Sequence, residues 1–303
     1  MGYSVLDFAT LENNPNLEAI KAEYNKDTGE LERITGRLRN LRVEANENWL
    51  NIVGSLSKFK NGENITPFTR LDTKEVITEI GDLLYIEMGR TFPTEMEFGA
   101  NILTDNEVVN YLQCLGERPY YDRGCYPNSV SYKNGSATYE NCLILYDKIK
   151  EAQKSGMHIP DIYTSKNILR IETRKKRRLA YQTRAGQRVT TEMLYDPQFY
   201  NSQKQQLIKD YQTIKKYQNM EIDYTSIKKP TDCKDVLLAY LVKQNPAFVA
   251  QFMDNVKAAG ILDRQQMRRA KGSIIEGCKN GITLSNDLIK ELDSKIMAIA
   301  EYD

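Results

Sequence analysis

The sequence predicts an α+β fold: an antiparallel-rich sheet with helices on one face, followed by a C-terminal helical region. Three observations predict it. Apolar and polar residues alternate with the period of a strand in several separate runs before Thr190. Segments with the 3–4 spacing of an amphipathic helix lie between those runs. After about Thr190 the strand alternation ends and helical patterns continue to the end of the chain. The resulting order, ββ-α-β-α-ββ-β and then helices, is an α+β layout.

Residues 1–30 are polar and irregular and are read as an N-terminal arm. From Leu31 to Phe59, alternation on either side of Ala45–Asn48 predicts a hairpin of two long strands. Leu71–Met88 carries Val76, Ile77, Ile80, Leu83 and Leu84 at helical spacing, with Asp72 or Thr73 as the N-cap. Thr94–Leu103 alternates as a strand, and Asn106–Leu115 is a short amphipathic helix opened by Asp105. Asn128–Gly135 and Ala137–Lys148 predict a second hairpin, with Asn134-Gly135 as its turn signal. A loop with Gly156 and Pro160 precedes a strand over Ile168–Thr173. Ser202–Gln218 is helical, the segment around Pro230 reads as a linker, and Cys233–Tyr302 as three or four helices. The expected domains are 1–30, 31–230 and 231–303.

With 303 residues and 41% apolar content, the chain can bury a core of its own. Its net charge of +1 points to no partner, so a nucleic-acid site must come from local clustering. Such a cluster exists: Lys166 to Arg188 holds nine Lys/Arg against one acid, Glu172. The five cysteines, Cys114, Cys125, Cys142, Cys233 and Cys278, are odd in number and lack a C-x-x-C spacing, which argues against a disulfide framework or a zinc site. The N-terminus shows no signal-peptide pattern and no window approaches a membrane span, so a cytoplasmic protein with no membrane partner is expected. Gly2 is not followed by the residue spacing of a myristoylation signal. His158 is the sole histidine, which excludes mechanisms needing two.

Alternation sorts the candidate chemistry. In Thr94–Ile102 the apolar side is Met96, Phe98, Ala100 and Ile102, leaving Glu95, Glu97, Gly99 and Asn101 on the other. In Asn167–Arg174 Leu169 and Ile171 face the core, so Arg170, Glu172 and Arg174 face away; in Cys142–Lys148 Tyr146 and Lys148 do the same. Glu97, Glu172 and Asn101 are the candidate ligands of a hard divalent ion, Mg²⁺ or Mn²⁺. Tyr146 beside them is a candidate nucleophile toward phosphorus, with Lys148 helping to remove its proton. Arg170, Arg174, Lys175, Lys176, Arg177 and Arg178 are the candidate phosphate contacts. The plainer alternatives are a solvated Glu/Arg strand face and a non-specific basic patch.

"CLILYDKIKE" followed by "NILRIETRKKRRL", with "EMEFGANI" and "GSLSKFKNGENITPFTRLDTKEVITEI" upstream, resembles the phage and plasmid replication proteins of the gene II/X type and, more distantly, rolling-circle initiation factors. The resemblance covers about Leu31 to Tyr211. It implies a split βαβ core and a DNA nicking-closing endonuclease at a replication origin, which holds the 5′ phosphate on a tyrosine and frees a 3′ hydroxyl. Glu95-Met96-Glu97 stands where related nickases carry a His-hydrophobe-His strand. Glu172 is then expected to be a metal ligand or metal-shell residue, with the flanking arginines on phosphates. The implied partners are origin DNA, single-stranded or cruciform, and a host helicase, in a bacterial cytoplasm. Tyr139 should face the opposite side from Tyr146, while Tyr200 or Tyr211, on a helix folded back over the sheet, is the alternative nucleophile. The competing function is a non-enzymatic single-stranded or origin DNA-binding protein. In the C-terminal region, Arg264, Arg268 and Lys271 share a helical face that could also meet phosphate.

Overall fold

The computed structural model describes residues 9–217, 219–222, 227–244, 246–260, 262–277, 282–285 and 287–301. Gly2, Cys278, Tyr302 and part of the expected linker, residues 223–226, lie outside the described residues.

The chain is α+β, and its described residues before 217 form two antiparallel sheets where one was expected. After a single helical turn, α1 (Ala9–Glu12), the first sheet has four strands in sequential order: β1 (Glu18–Tyr24), β2 (Leu31–Leu38), β3 (Leu41–Asn46) and β4 (Trp49–Val53). The expected hairpin turn at Glu47-Asn48 is present, since Asn46 pairs with Trp49. The long strand before it is divided, because Arg39 takes a left-handed φ of 52° and turns the chain back at Asn40. β1 falls in the segment read as irregular. It is an edge strand with no buried side chain, so it shows no alternation to read.

Next come α2 (Leu56–Asn61) and α3 (Arg70–Leu84). The cap of α3 is Thr69, ahead of the expected Asp72 or Thr73: Thr69 Oγ1 accepts from the Asp72 amide while the Asp72 carboxylate accepts from the Thr69 amide. Val76, Ile80 and Leu84 bury against Ile34, Leu38 and Val43, which attaches this helix to the first sheet.

The second sheet has the order β5-β9-β8-β7-β6, formed by β5 (Glu95–Thr104), β6 (Asp122–Tyr126), β7 (Ser129–Ser136), β8 (Tyr139–Asp147) and β9 (Asn167–Lys176). β5 and β8 each run antiparallel to β9 and are therefore parallel to each other with β9 between them, the split arrangement. The β7–β8 turn lies at Ala137-Thr138, because Asn134 and Gly135 pair with Asn141 and Glu140 inside the ladder. Burial decides that register: Val130 and Tyr132 stand opposite Leu145 and Leu143 on the core face.

α4 (Val108–Gln113) packs on β7, β8 and β9, and α7 (Pro197–Gln212) packs on β5. Between β9 and α7 lies α6 (Leu179–Gln182). α5 (Lys148–Ser155) covers one end of the opposite face, where Ile149 and Ala152 meet Ile65 and Ile168. Helices thus occupy both faces of this sheet, unequally.

The chain groups into two compact units, residues 1–216 with 291–303, and residues 217–290. The second unit contains α8 (Pro230–Gln244), α9 (Pro246–Ala258), α10 (Arg264–Gly277) and the antiparallel pair β10 (Asn219–Ile222) and β11 (Ile282–Ser285). These two strands lie where only helices were expected. α8 begins at Pro230, the expected linker centre. In α11 (Asp287–Met297) the residues from Glu291 onward belong to the first unit, where Asp293 accepts from the Tyr211 hydroxyl at 2.7 Å and Lys295 pairs with Asp105 at 2.7 Å.

Candidate active site

The cross-strand register places Glu97 opposite Arg174, Gly99 opposite Glu172 and Asn101 opposite Arg170, with Tyr146 paired to Arg170 from β8. All are on the sheet face away from α4 and α7, and they form one connected cluster. Arg170 Nε donates to Glu172 Oε2 at 2.6 Å, and Arg174 Nη2 and Nε donate to Glu172 Oε1 at 2.7 and 3.0 Å. The Tyr146 hydroxyl donates to Glu172 Oε2 at 3.2 Å. Arg170 Nη1 donates to Asn101 Oδ1 at 3.1 Å, and Arg174 Nε lies 2.9 Å from Glu97 Oε1. Asn101 is itself held by donating to the carbonyls of Asn64 and Ile65.

Glycine makes this geometry possible. A Cβ at Gly99 would sit 2.6 Å from Glu172 Cβ, so any larger residue on β5 would push Glu172 out of its place. Glu172 is 1% exposed, whereas the Arg174 side chain is 41% exposed and Glu97 57%. The lone carboxylate between arginines is therefore the buried hub of the cluster, and Arg174 and Glu97 are its rim.

Electrostatics follow from that burial. Desolvation works against the charge on Glu172, but Arg170 and then Arg174 outweigh it and hold the carboxyl below the usual range. Burial, followed by the neighbouring Glu172, pushes Glu97 up. Tyr146 is pushed well above the ordinary phenol, first by burial and then by the Glu172 charge.

The expected metal set does not fit an ion as it stands. Glu172, Glu97 and Asn101 each already place an oxygen on a guanidinium, and two arginines oppose a further cation. Among the described residues no group of three or more His, Cys, Asp or Glu is placed to hold one.

Two other expectations are corrected. Lys148 does not continue β8: Asp147 caps α5, its carboxylate accepting from the Lys150 amide, and Lys148 is the first helical residue. Its ammonium is buried and donates to Glu151 at 2.6 Å, though it also lies 5.9 Å from the Tyr146 ring centroid. Lys175 is not a surface cation. It stands on the core face opposite Met96, 2% exposed, and donates to Gln203 of α7 at 2.8 Å; burial pushes it down to about 8.

Lys176 lies on the Glu172 face, 3.4 Å from Glu95. Arg177 and Arg178 are exposed beyond the end of β9. Tyr139 alternates away from Tyr146, as expected. Tyr200 sits on α7, edge-on to Phe98 with ring centroids 5.2 Å apart, on the face opposite the Glu172 cluster. Tyr211 is fully buried. In the second unit Arg264 and Arg268 are exposed on α10.

Residues 11–196 match the family described as "Replication-associated protein G2P N-terminal". The chain belongs to this family. It is a phage replication protein of the gene II type, a replication initiator, and the matched segment contains both sheets and every residue of the Glu172 cluster. No curated protein matches it. No described helix is long and apolar enough to cross a membrane.

Proposed function

We propose that this replication initiator nicks one strand of origin DNA by transesterification, with Tyr146 as nucleophile. The observation that carries the reading is the hydrogen bond from the Tyr146 hydroxyl to Glu172, a carboxylate whose other partners are two arginines. A nucleophile, a proton acceptor and two phosphate-binding cations share one cluster, which is the minimum set for attack on a phosphodiester.

The arrangement suggests how the resting state is kept inactive. Glu172 is too well paired to be a base, and Tyr146 too hard to ionise. A DNA phosphate binding at the exposed rim competes with Glu172 for Arg174, since guanidinium binds phosphate as readily as carboxylate. Each contact so lost raises the basicity of Glu172 beside the phenol. Tyr146 Oη then bonds to phosphorus and the P–O3′ bond breaks. The phenolic proton passes to Glu172, and the 3′ oxygen takes a proton from solvent water to leave as a hydroxyl. Rejoining is the reverse. No step runs through a divalent ion, because the oxygens that would hold it face arginines.

The test is incubation with supercoiled DNA carrying the origin of the encoding phage, followed by denaturing electrophoresis. Open circles with a covalently attached protein are expected. Salt-sensitive binding with no nick and no adduct would favour the non-enzymatic DNA-binding alternative.

A further inference from the structure

We infer that the exposed end of the β7–β8 hairpin and the turn after β9 form a stacking platform for unpaired bases, which makes single-stranded DNA the form held at this end of the sheet. The inference deepens the proposed function and rests on it for DNA as the partner.

Tyr181 on α6 is 64% exposed. It is held edge-on by Tyr139 of β8, with centroids 5.9 Å apart. The Arg178 guanidinium lies 5.2 Å from the Tyr181 centroid. Arg177 Nη1 donates to the carbonyl of Ala137 at the hairpin turn, 2.7 Å away, which ties the two segments together. The platform is therefore an exposed aromatic ring with the Arg178 guanidinium over it and Arg177 on the adjoining turn. From Arg177 to Arg188 the sequence holds four arginines, Arg177, Arg178, Arg184 and Arg188, and no acid, and all four are exposed.

The backbone here is built, not incidental. Arg177 and Arg178 are consecutive non-glycine residues in the left-handed region, at φ 58° and 42°. That conformation is fixed by its surroundings: the Arg177 amide donates to Thr94 O at 2.9 Å, and the buried Gln182 side chain donates to the carbonyls of Lys176 and Arg177 at 2.9 and 2.8 Å. Backbone held in a sparsely populated region by several such contacts is characteristic of ligand-binding segments. Here it carries Arg177 to the β7–β8 turn and Arg178 to Tyr181, just beyond the end of β9.

Charge complementarity selects a nucleic-acid backbone, and the exposed ring selects bases that are not already stacked in a duplex. A duplex would meet the arginines but could offer Tyr181 no base face. A single strand offers both, one phosphate per base.

The test measures binding of the full chain to a labelled oligothymidylate of about 16 nucleotides and to a duplex of the same length. Tyr181 is a surface residue outside the Glu172 cluster, so Tyr181→Ala should leave the melting curve unchanged. It is expected to weaken oligothymidylate binding roughly fivefold or more, while duplex binding stays within about twofold. Tyr181→Phe, which keeps the ring, should bind as wild type. Arg177→Ala with Arg178→Ala should weaken both forms and flatten the salt dependence of each. Unchanged oligothymidylate binding by Tyr181→Ala, an equal loss on duplex, or no binding of oligothymidylate by the wild type would each overturn the inference. A chain that shows the expected pattern but never nicks origin DNA overturns the proposed reaction and leaves the platform standing.

Discussion

Removing the Glu172 carboxylate should destabilise the first unit as well as abolish nicking, and the two effects can be weighed separately. The side chain is 2% exposed and accepts from Arg170 at 2.6 Å and from Arg174 at 2.7 Å. In Glu172→Ala the Arg170 guanidinium, 15% exposed, keeps only Asn101 as a partner within this cluster, while Arg174 can turn to water and Glu97. Losing one member of a buried ion pair costs about 3–5 kcal/mol. The exposure of Arg174 places this case near the lower end, about 3 kcal/mol. For a unit of this size that lowers the midpoint by roughly 6–12 °C. The assay is thermal unfolding followed by circular dichroism, with urea titration as a second measure. A double-mutant cycle with Arg170→Ala should show the two losses to be strongly non-additive. Glu172→Ala melting within about 1 °C of wild type, yet inactive, would refute the buried-hub argument and return Glu172 to a purely chemical role.

Further outcomes follow from the same geometry. Because the Glu172 carboxyl is held below its ordinary value, its stabilising contribution is present above that value and is lost as pH falls through the lowered one; Glu172→Gln should therefore flatten the acid limb of the stability–pH profile, and an unchanged limb would contradict the pairing. Lys175 titrates near 8 in the folded chain against 10.5 free, so its burial opposes folding most fully below pH 8 and the penalty is relieved toward pH 10.5. Lys175→Met should accordingly gain stability relative to wild type at pH 7 and lose that advantage by about pH 10, without any change in the salt dependence of DNA binding; a weakened salt slope would make it a phosphate contact after all. Millimolar Mg²⁺ should leave the melting temperature within about 1 °C, since a ligand set occupied by guanidinium groups gives no linkage, whereas a larger rise abolished by Glu97→Ala would establish a metal site there.

Much of the sheet was legible because alternation is a local signal. β5 and β9 were read with their faces correctly assigned, since Leu169 and Ile171 bury while Arg170 and Arg174 do not bury fully. Lys175 was grouped with the phosphate contacts because it belongs to a run of basic residues, although the same alternation carried one residue further puts it on the core side. What alternation cannot see is the partner strand. That Glu172 is sealed by two arginines depends on Gly99 standing opposite it, and Gly99 carried no signal of its own. The hairpin turn was misplaced because Asn134-Gly135 is a strong local turn signal overruled by the pairing of Tyr132 with Leu143. β6, only partly buried at the sheet edge, offered as little pattern as β1 did. Tyr181 was hidden for another reason: one tyrosine among 19 has no mark until Tyr139 and Arg178 are seen beside it.

The central claim is that the nucleophile belongs to the Glu172 cluster and not to α7 on the other side of the sheet. The most direct measurement is to digest the covalent protein–DNA adduct with protease and identify the phosphotyrosine-bearing peptide by mass spectrometry. The account predicts a peptide containing Tyr146, and no adduct from Tyr146→Phe, with oligothymidylate binding intact. An adduct that forms in Tyr146→Phe and maps to Tyr200 would contradict it, moving the chemistry to the face where Tyr200 meets Phe98.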